Sequence, residues 1–357
     1  METSNIFEGL KVLELSSVLA GPLVGSFFSE LGASVIKIEN KKNGGDVTRS
    51  WLHPSEAEDK EVSDYYLSAN QNKDIQFLDL TNLEDHNHLI ELVRWCDIVI
   101  SNYPYETGLK LHTLYNDFKV FNEGLIFANL VAYNRHDPRT GFDALMQAEC
   151  GYISMCGEDG HPSKMPTAMI DILAAHHMKE AIIIALLQKA LGKIRTCEIE
   201  VSLFDAALTG LINQGSSYLN SNILPTYLGT KHPTIAPYGD IFYSGDMVGF
   251  ILAVGSDEQF KKLGFTLKLN SELMIIFDKN ISRLERRNDL HNELQNKFNL
   301  ISFEQTQTLL TNNKIPFGKI NNLSSLFDLP QACEMVKKTS GNGKFVSNIA
   351  FKMIQKS

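Results

Sequence analysis

The chain has 357 residues, a length that exceeds one average domain and predicts two domains or one large domain with a smaller appendage. Because 43% of the residues are hydrophobic and 21% are charged, the composition excludes a disordered, collagen-like or disulfide-scaffold protein. The 33 basic and 42 acidic side chains give a formal net charge of -9, which argues against general binding of nucleic acid or of an anionic membrane surface.

The first predicted elements are a strand, a helix and a second strand. KVLEL (11–15) is a short apolar run, and LAGPLVGSFFSELG (19–32) carries Pro22 at a position suited to the first helical residue. SVIKIE (34–39) is the second apolar run. Together these segments predict a βαβ unit.

Three further β-rich runs follow, separated by polar or helical stretches. They are IQFLDL (75–80), CDIVISN (96–102) and GLIFANL (124–130). This alternation is typical of a parallel α/β sheet. The first third of the chain is therefore predicted to be Rossmann-like.

A long apolar helix is predicted from Asp171 to Leu191. Its residues are apolar on almost every face, and Gly192 follows it, the residue type favoured just past a helix end. The pattern predicts a buried helix. A strand in EIEVSL and a helix in FDAALTGLINQ come next.

The remaining residues predict a linker and a second domain. Ser, Asn, Pro, Gly and Thr become frequent between Gly215 and Gly239, which indicates a linker. DIFYS and MVGFILAV then flank Gly245-Asp246 as in a β-hairpin, and Ser302 to Gln305 fits a capping box at a helix start. The predicted fold is α/β, with a Rossmann-like large domain built on a parallel sheet and a smaller α+β domain. Its segments are residues 1–215 for the large domain, 216–239 for the linker, 240–322 for the small domain, and 323–357 for a C-terminal return to the large domain.

The cysteines show no pattern of a structural site. Their number is odd and none forms a CxxC pair, so the sequence predicts neither a disulfide framework nor a zinc site. They are Cys96, Cys150, Cys156, Cys197 and Cys333. The opening METSNIFEGLKVLEL lacks a basic signal-peptide region, and no segment reaches the roughly 20 apolar residues of a membrane span. We expect a cytoplasmic protein.

Common catalytic motifs do not identify the chemistry. GxGxxG, GxxxxGK[ST], HExxH and GxSxG do not occur. Asp171, at the start of the apolar helix, has two interpretations. It can cap the helix, or its carboxylate can stay ionised at the positive end of the helix dipole and act as a nucleophile in a cleft. From the residue pattern alone, capping is favoured.

Histidines and lysines do not define a site by their spacing. His176 and His177 are adjacent in the predicted helix and cannot form the i, i+4 pair of a metal site. The lysines near predicted strand ends are expected to be solvated unless the fold gathers them around one anion. They are Lys37, Lys41, Lys73 and Lys110.

Taken in order, several segments resemble the class III coenzyme A transferase family. The most specific is GLKVLELSSVLAGPLVGSFFSELGASVIKIE followed by GGDVTR, which is similar to the family's N-terminal signature. The others are NQNKDIQFLDL, DIVISNY, GFDALMQAECG, the stretch from Asp171 through ALGKIRTCEIEVSLFDAAL, TKHPTIAPYG and NKIPFGKI. The likeness covers nearly the whole chain.

The resemblance reverses the preference at Asp171, which falls on the family's catalytic aspartate. It implies covalent catalysis through a mixed anhydride and an aspartyl-CoA thioester, with acyl-CoA and a carboxylic acid as substrates and with no metal or permanently bound cofactor. The large domain, residues 1–215, would then bind CoA. The positions that align with CoA contacts of relatives are Val18, Ala20, Lys41, Asn102 and Lys110.

The chain also departs from the family pattern. Lys41 and Lys110 stand where relatives have arginine, which keeps the charge but loses bidentate geometry. Pro104-Tyr105 replaces a basic or glycine-proline continuation, and Val131 stands where one transferase branch has lysine. The glycine-rich loop of formyl-CoA transferases has no counterpart, so the resemblance does not imply formyl or oxalate specificity.

Two alternatives to a transferase remain open from the sequence. The α-methylacyl-CoA racemases of the same family use the histidine of a GHD motif as a second base, whereas this chain has GFD, and Phe142 cannot exchange a proton. A non-catalytic CoA-binding protein is the other alternative. The resemblance further implies an interlocked homodimer.

Overall fold

The strands and helices of the computed structural model follow many of the predicted apolar runs. The structure describes residues 5–56, 60, 62–158, 160–339 and 343–354. In chain order the strands are β1 (Lys11–Leu15), β2 (Ser34–Asn40), β3 (Asp74–Leu78), β4 (Ile98–Ser101), β5 (Ile126–Val131), β6 (Gly157–Glu158), β7 (His161–Pro162), β8 (Cys197–Ser202), β9 (Tyr238–Tyr243), β10 (Gly249–Ala253), β11 (Phe317–Lys319), β12 (Val336–Lys338) and β13 (Lys344–Val346).

The helices vary widely in length. In chain order they are α1 (Ala20–Glu30), α2 (Asp64–Ala69), α3 (Leu83–Trp95), α4 (Tyr105–Leu111), α5 (Tyr115–Phe118), α6 (Asp143–Glu149), α7 (Met169–Ala190), α8 (Leu203–Thr209), α9 (Ile212–Ser221), α10 (Asp257–Thr266), α11 (Ser271–Ile276), α12 (Asn280–Glu285), α13 (Arg287–Phe298), α14 (Phe303–Asn312), α15 (Leu323–Phe327) and α16 (Pro330–Glu334). Two 3-10 helices, Lys41–Asn43 and Val47–Ser50, follow β2.

Contacts divide the chain into two compact units. The first comprises Met1–Tyr152, Lys164–Asn222 and Gln331–Ser357, and the second comprises Ile153–Ser163 and Ile223–Pro330. The last segment completes the first unit, because Ser347 Oγ and the Asn348 N–H donate to the Glu30 carboxylate of α1 at 2.7 and 2.9 Å.

Among the described residues of the first unit, six parallel strands form one sheet in the order β3-β2-β1-β4-β5-β8. The prediction of an α/β fold with a parallel sheet is confirmed. Val12 of β1 pairs with Val35 of β2 and with Ile98 of β4. The strand order reverses at this point, and open α/β sheets bind ligands in the crevice at the carboxyl ends of strands that flank such a reversal.

Both faces of the sheet are buried, as its apolar strands require. Val12 packs with α1 and α7 residues such as Val24 and Met178 in one core cluster. Its neighbour Leu13 points to the other face and packs with Leu89 of α3 in a second cluster. Because successive side chains of a strand alternate between faces, the continuous apolar run KVLEL is explained by a sheet covered on both sides.

The second unit contains a three-stranded antiparallel sheet with the order β11-β10-β9. The hairpin predicted around Gly245-Asp246 is confirmed, since β9 and β10 pair antiparallel on either side of it. The predicted capping box is also confirmed: Ser302 caps α14 and Gln305 reciprocates. The core of this unit is rich in phenylalanine, with Phe242, Phe250, Phe260, Phe277 and Phe298.

Two helices differ from the prediction. The sequence predicts a buried helix for α7, but Ile184, Leu187 and the Leu191 that follows it are 56 to 59% exposed in the chain. The apolar pattern correctly indicates a helix, yet it does not specify what covers each face. Helix α9 extends to Ser221, so the irregular segment begins after it rather than at Gly215. Within the described residues, no helix combines the length and apolarity needed to cross a membrane.

Candidate active site

Asp171 lies in the first turn of α7. It is the third residue of the helix, and Ala168 at the N-cap position provides no side-chain hydrogen bond to the free N–H groups. The residue is only 8% exposed. Within the described part of the chain, its carboxylate accepts no hydrogen bond from another residue. Asp171 therefore does not act as the helix cap.

The cap of α7 comes instead from Asp143, the first residue of α6. One carboxylate oxygen of Asp143 accepts the N–H of Ile170 at 2.7 Å, and the other accepts Nε2 of Gln147 at 2.7 Å. Gln147 Oε1 in turn accepts the N–H of Met165 at 2.8 Å. A residue distant in sequence thus satisfies the helix start that the local sequence leaves open, and it brings a second carboxylate next to Asp171.

The electrostatics of Asp171 differ from the expectation of a carboxylate kept ionised by the helix dipole. Burial, followed by repulsion from Asp143, raises the pKa of Asp171 to about 7. Loss of hydration and a like charge both favour the neutral acid. Near neutral pH both protonation states are populated. Raising the pH increases the ionised, nucleophilic form.

Tyr65 is a neighbour that the sequence analysis missed. Burial, with the negative charges of Asp171 and Asp143, raises the pKa of Tyr65 to about 12. The phenol is therefore protonated at neutral pH and can donate a hydrogen bond. Its ring packs edge-on against Trp51 with centroids 5.1 Å apart. No motif in the sequence links α2, which carries Tyr65, to α7.

The β1–α1 turn (residues 16–19) lies at the carboxyl end of β1 and brings three of the predicted CoA-contact residues together. Val18 has a φ of 72°, a left-handed conformation that is rare for a β-branched residue. Asn102, directly after β4, accepts the Ser17 N–H at 3.0 Å and donates to the Ser17 carbonyl at 2.8 Å. Ala20 begins α1 and is buried. The side-chain amide of Asn102 thus binds the turn itself.

Two cavities adjoin this turn. The first has a volume of about 400 Å³ and lies beside the residues that follow β2, including Asn40, Gly44 and Arg49. The second has a volume of about 410 Å³ and lies beyond the ends of β4 and β5. Ser17 and Tyr103 line both. The arrangement provides adjoining space for an extended ligand at the crevice of the sheet.

The residues that line the second cavity include the position that distinguishes a racemase from a transferase. Phe142 lines it and is 48% exposed, so the position of the racemase histidine holds a group that cannot take up a proton. Arg135 and Arg139 line it as well. Arg135 is paired with Glu198 at 2.9 Å and with Glu200 at 2.8 Å, and Arg139 is paired with Asp137 at 2.7 Å. Protein carboxylates therefore balance both guanidinium groups.

The four lysines separate into two classes. Lys41 and Lys110 are exposed and line neither of the two cavities among the described residues, so the structure does not bring them into contact with the turn. Lys37 and Lys73 have buried side chains, and the expectation that they are solvated is wrong. Burial lowers the pKa of Lys73 to about 8, although Glu14 lies 2.8 Å from its ammonium and opposes the shift.

Acidic, histidine and cysteine side chains do not gather as metal ligands. In the ranges that the structure describes, no group of three or more of them could hold a metal ion. Burial raises the pKa of the Cys150 thiol, which disfavours its thiolate. Asp171, beside Asp143, is instead an acid whose protonation the fold shifts toward neutral pH.

Comparison with known proteins assigns the chain to a family. The model of CoA-transferase family III matches residues 7–351. The succinate–glutarate CoA-transferase of Agrobacterium fabrum is 33% identical over 341 residues, which cover 90% of this chain and 82% of that protein. The succinyl-CoA:glutarate CoA-transferase of Homo sapiens is 30% identical over 335 residues, covering 91% of this chain and 74% of that protein.

A solved structure extends the likeness to three dimensions. The crystal structure of a CAIB/BAIF family protein from Brucella suis superposes with a TM-score of 0.85 at 30% sequence identity. The match covers 98% of this chain and 93% of that chain. Because the family model and these relatives match along nearly the whole length, the chain belongs to CoA-transferase family III.

Proposed function

We propose that the chain transfers CoA from an acyl-CoA thioester to a carboxylic acid, with Asp171 as the covalent nucleophile. The observation that carries this proposal is the state of the Asp171 carboxyl group: it is buried, lies beside Asp143 and has no hydrogen-bond donor among the described residues. A poorly hydrated carboxylate with no partner is a better nucleophile than one held by water or by a cation.

The proposed reaction has four steps that conserve atoms and charge. The ionised carboxylate of Asp171 attacks the thioester carbonyl, giving an aspartyl–acyl anhydride and CoA thiolate. The thiolate attacks the aspartyl carbonyl, which gives an aspartyl-CoA thioester and releases the donor carboxylate. The acceptor carboxylate then attacks that thioester and forms a second anhydride with release of thiolate. Attack of the thiolate on the acyl carbon yields the new acyl-CoA and regenerates Asp171.

CoA is proposed to bind in the first unit at the β1–α1 turn. Val18, Ala20 and Asn102 lie at this turn, beside two adjoining cavities that follow the carboxyl ends of β1, β2, β4 and β5. Lys41 and Lys110 are proposed to meet the phosphates from the exposed surface. The predicted division into a CoA-binding large domain (1–215), a linker (216–239, of which residues 216–221 belong to α9), a small domain (240–322) and a C-terminal return (323–357) is part of the same proposal, as is a cytoplasmic location.

The substrates are proposed to be dicarboxylic. The names of the two relatives pair succinate or succinyl-CoA with glutarate, and this chain is similar to both proteins. Succinyl-CoA with glutarate is therefore the first donor and acceptor pair to assay, and butyrate is the monocarboxylate comparison. A preference for glutarate over butyrate supports a dicarboxylate acceptor.

The active protein is proposed to be a homodimer. Ile184 and Leu187 on α7, and Ile212 and Leu219 on α9, expose apolar side chains, with Leu219 at 81%. Large apolar side chains exposed on two helices of one unit are the kind of surface that a partner subunit covers. Light scattering on the purified chain tests the proposal, and a monomer at micromolar concentration would contradict it.

Trapping of the intermediate tests the mechanism most directly. The chain is incubated with succinyl-CoA and then with hydroxylamine, which attacks an aspartyl anhydride or thioester and leaves an aspartyl hydroxamate. We expect mass spectrometry of the digested protein to find this adduct at Asp171.

Asp205 provides the matched control, because it is also the third residue of a helix but is exposed. Asp205→Asn should give the same adduct at Asp171, and Asp171→Asn should give none. CoA exchange without any adduct at Asp171 would remove the covalent mechanism. Binding of CoA without exchange for any acceptor would favour a non-catalytic protein.

A further inference from the structure

The conformation of Val18 needs support from outside the β1–α1 turn. At φ 72° a valine places its branched side chain against its own backbone, a conformation that L-residues other than asparagine and aspartate rarely adopt. Such conformations persist when surrounding contacts hold them, and they concentrate at ligand-binding sites.

Asp46 supplies that support. Its two carboxylate oxygens lie 3.4 and 3.2 Å from the Val18 nitrogen, whose N–H donates to both. Thr48 holds the same carboxylate, donating from its N–H at 3.0 Å and from its hydroxyl at 2.8 Å. Asp46 is 4% exposed, so water does not compete for these contacts.

A buried ammonium group orients Asp46. Lys37 Nζ lies 2.8 Å from a carboxylate oxygen of Asp46 and 2.7 Å from Oδ1 of Asn70, and its side chain is fully buried. Burial alone would raise the pKa of Asp46, but the charge and hydrogen bond of Lys37 lower it below its ordinary value. The carboxylate is thus ionised and fixed in place before a ligand arrives.

Asn102 secures the turn from the opposite strand. Its side chain binds the N–H and the carbonyl of Ser17, while Asp46 binds the N–H of Val18. Two consecutive residues of the turn are therefore held by side chains that follow β2 and β4, the two strands beside β1.

We infer that Asp46 is a positioning residue for CoA, which it serves by holding Val18 in the left-handed conformation that shapes the β1–α1 turn. This inference rests on the proposed function, because CoA is taken as the ligand of the turn. Asp46 itself is not inferred to contact CoA. Replacing Asp46 should therefore change the affinity for CoA rather than the rate of the chemical step at Asp171.

The experiment is a double-mutant cycle on CoA binding, measured by titration calorimetry. Asp46→Ala removes both carboxylate acceptors of the Val18 N–H, and we expect the Kd for CoA to rise about tenfold, equivalent to about 1.4 kcal/mol. In a Val18→Gly background the same substitution should raise Kd less than about threefold, because glycine adopts positive φ without strain. Asp246→Asn, at an exposed aspartate that also accepts a backbone N–H, is the control and should leave Kd unchanged.

Kinetics separate positioning from simple destabilisation. Asp46→Ala should raise KM for acyl-CoA while kcat per folded molecule changes less than about twofold. If Asp46→Ala does not fold, as judged by circular dichroism, Asp46→Asn replaces it in the same cycle with an expected rise of about threefold, since one acceptor oxygen remains.

The outcomes are distinct. An equal effect of the Asp46 substitution with valine and with glycine in the turn, or a loss of kcat with unchanged KM, would overturn the inference while leaving the proposed function standing. Failure of the unchanged chain to bind CoA would instead overturn the proposed function, and the inference with it.

Discussion

Helices α7 and α8 each carry an aspartate as their third residue, and the two carboxylates lie in opposite environments. Helix α8 begins with its own cap, because Ser202 Oγ accepts the Asp205 N–H at 3.1 Å, and Asp205 is exposed. Helix α7 lacks a local cap, takes one from Asp143, and buries Asp171. The same residue type at the same helical position is thus either exposed to solvent or a buried weak acid, depending on the residues that the fold packs around it.

The largest expected difference between the two aspartates is in catalysis. Asp171→Asn should reduce CoA exchange between succinyl-CoA and glutarate by about 10⁴-fold or more, because an amide cannot form the anhydride. Asp205→Asn should leave the rate within about twofold. The measurement is the initial rate of glutaryl-CoA formation by chromatography. Comparable rates of glutaryl-CoA formation in the two variants would show that Asp171 is no more important for catalysis than Asp205.

A second difference is expected in stability. Because the folded chain raises the pKa of Asp171 from 3.8 to about 7, the folded state binds this proton more tightly than the unfolded state. The contribution of Asp171 to the free energy of unfolding should therefore fall as pH rises from about 4 to about 7 and then level off, by up to about 4 kcal/mol. Asp171→Asn removes this penalty, so its stability advantage over the unchanged chain should grow over the same pH range.

Urea unfolding at several pH values between about 4 and 8 measures this effect. Asp205→Asn, at an exposed aspartate in the same helical position, is the control for the substitution itself. An advantage of Asp171→Asn that does not vary with pH would mean that the carboxyl group titrates alike in the folded and unfolded states.

The effect of the Asp143 charge on the pKa of Asp171 can be separated from the effect of burial. Asp143→Asn keeps an oxygen for the Ile170 N–H, gives up the acceptor of Gln147 Nε2, and removes the negative charge beside Asp171. The pKa of Asp171 should fall by about one unit. In single-turnover release of CoA thiol, the rate should rise with pH through a midpoint near 7 in the unchanged chain and through a lower midpoint in the variant. A midpoint that does not move would assign the whole shift to burial.

The smallest expected effect is at the locally capped helix. Ser202→Ala removes the hydroxyl that accepts the Asp205 N–H and should lower the free energy of unfolding by about 1 kcal/mol. Ser216→Ala, inside α9, is the control and should change it by less than about 0.5 kcal/mol. Equal losses in the two variants would show that the α8 cap contributes nothing specific.

Local patterns of the sequence predict much of the fold. The KVLEL run coincides with β1, the hairpin forms around Gly245-Asp246, and Ser302 caps its helix. Each of these features depends on residues that are neighbours in sequence. The exposed face of α7 could not be predicted in this way, because the apolar character of Leu187 indicates a preference to leave water without identifying the surface that covers it.

The candidate site was only partly predictable for the same reason. The family resemblance identifies Asp171, but its pKa depends on Asp143, which reaches the helix start from α6. The support of Val18 depends on Asp46 and on the buried Lys37, which sequence position alone assigns to the solvated surface. Contacts between segments that are distant in sequence determine the pKa of Asp171 and the support of Val18. Such contacts produce no regular residue spacing from which they could be predicted.

The contact of Ser347 and Asn348 with Glu30 bears on how the molecule is made. These residues emerge from the ribosome more than 300 positions after Glu30, and the whole second unit is synthesised in between. The first unit therefore lacks this contact on α1 until residues 347 and 348 have been synthesised, after the whole of the second unit. The second unit, whose last segment ends at Pro330, is fully synthesised before this contact can form, so the unit that begins first is completed after the other.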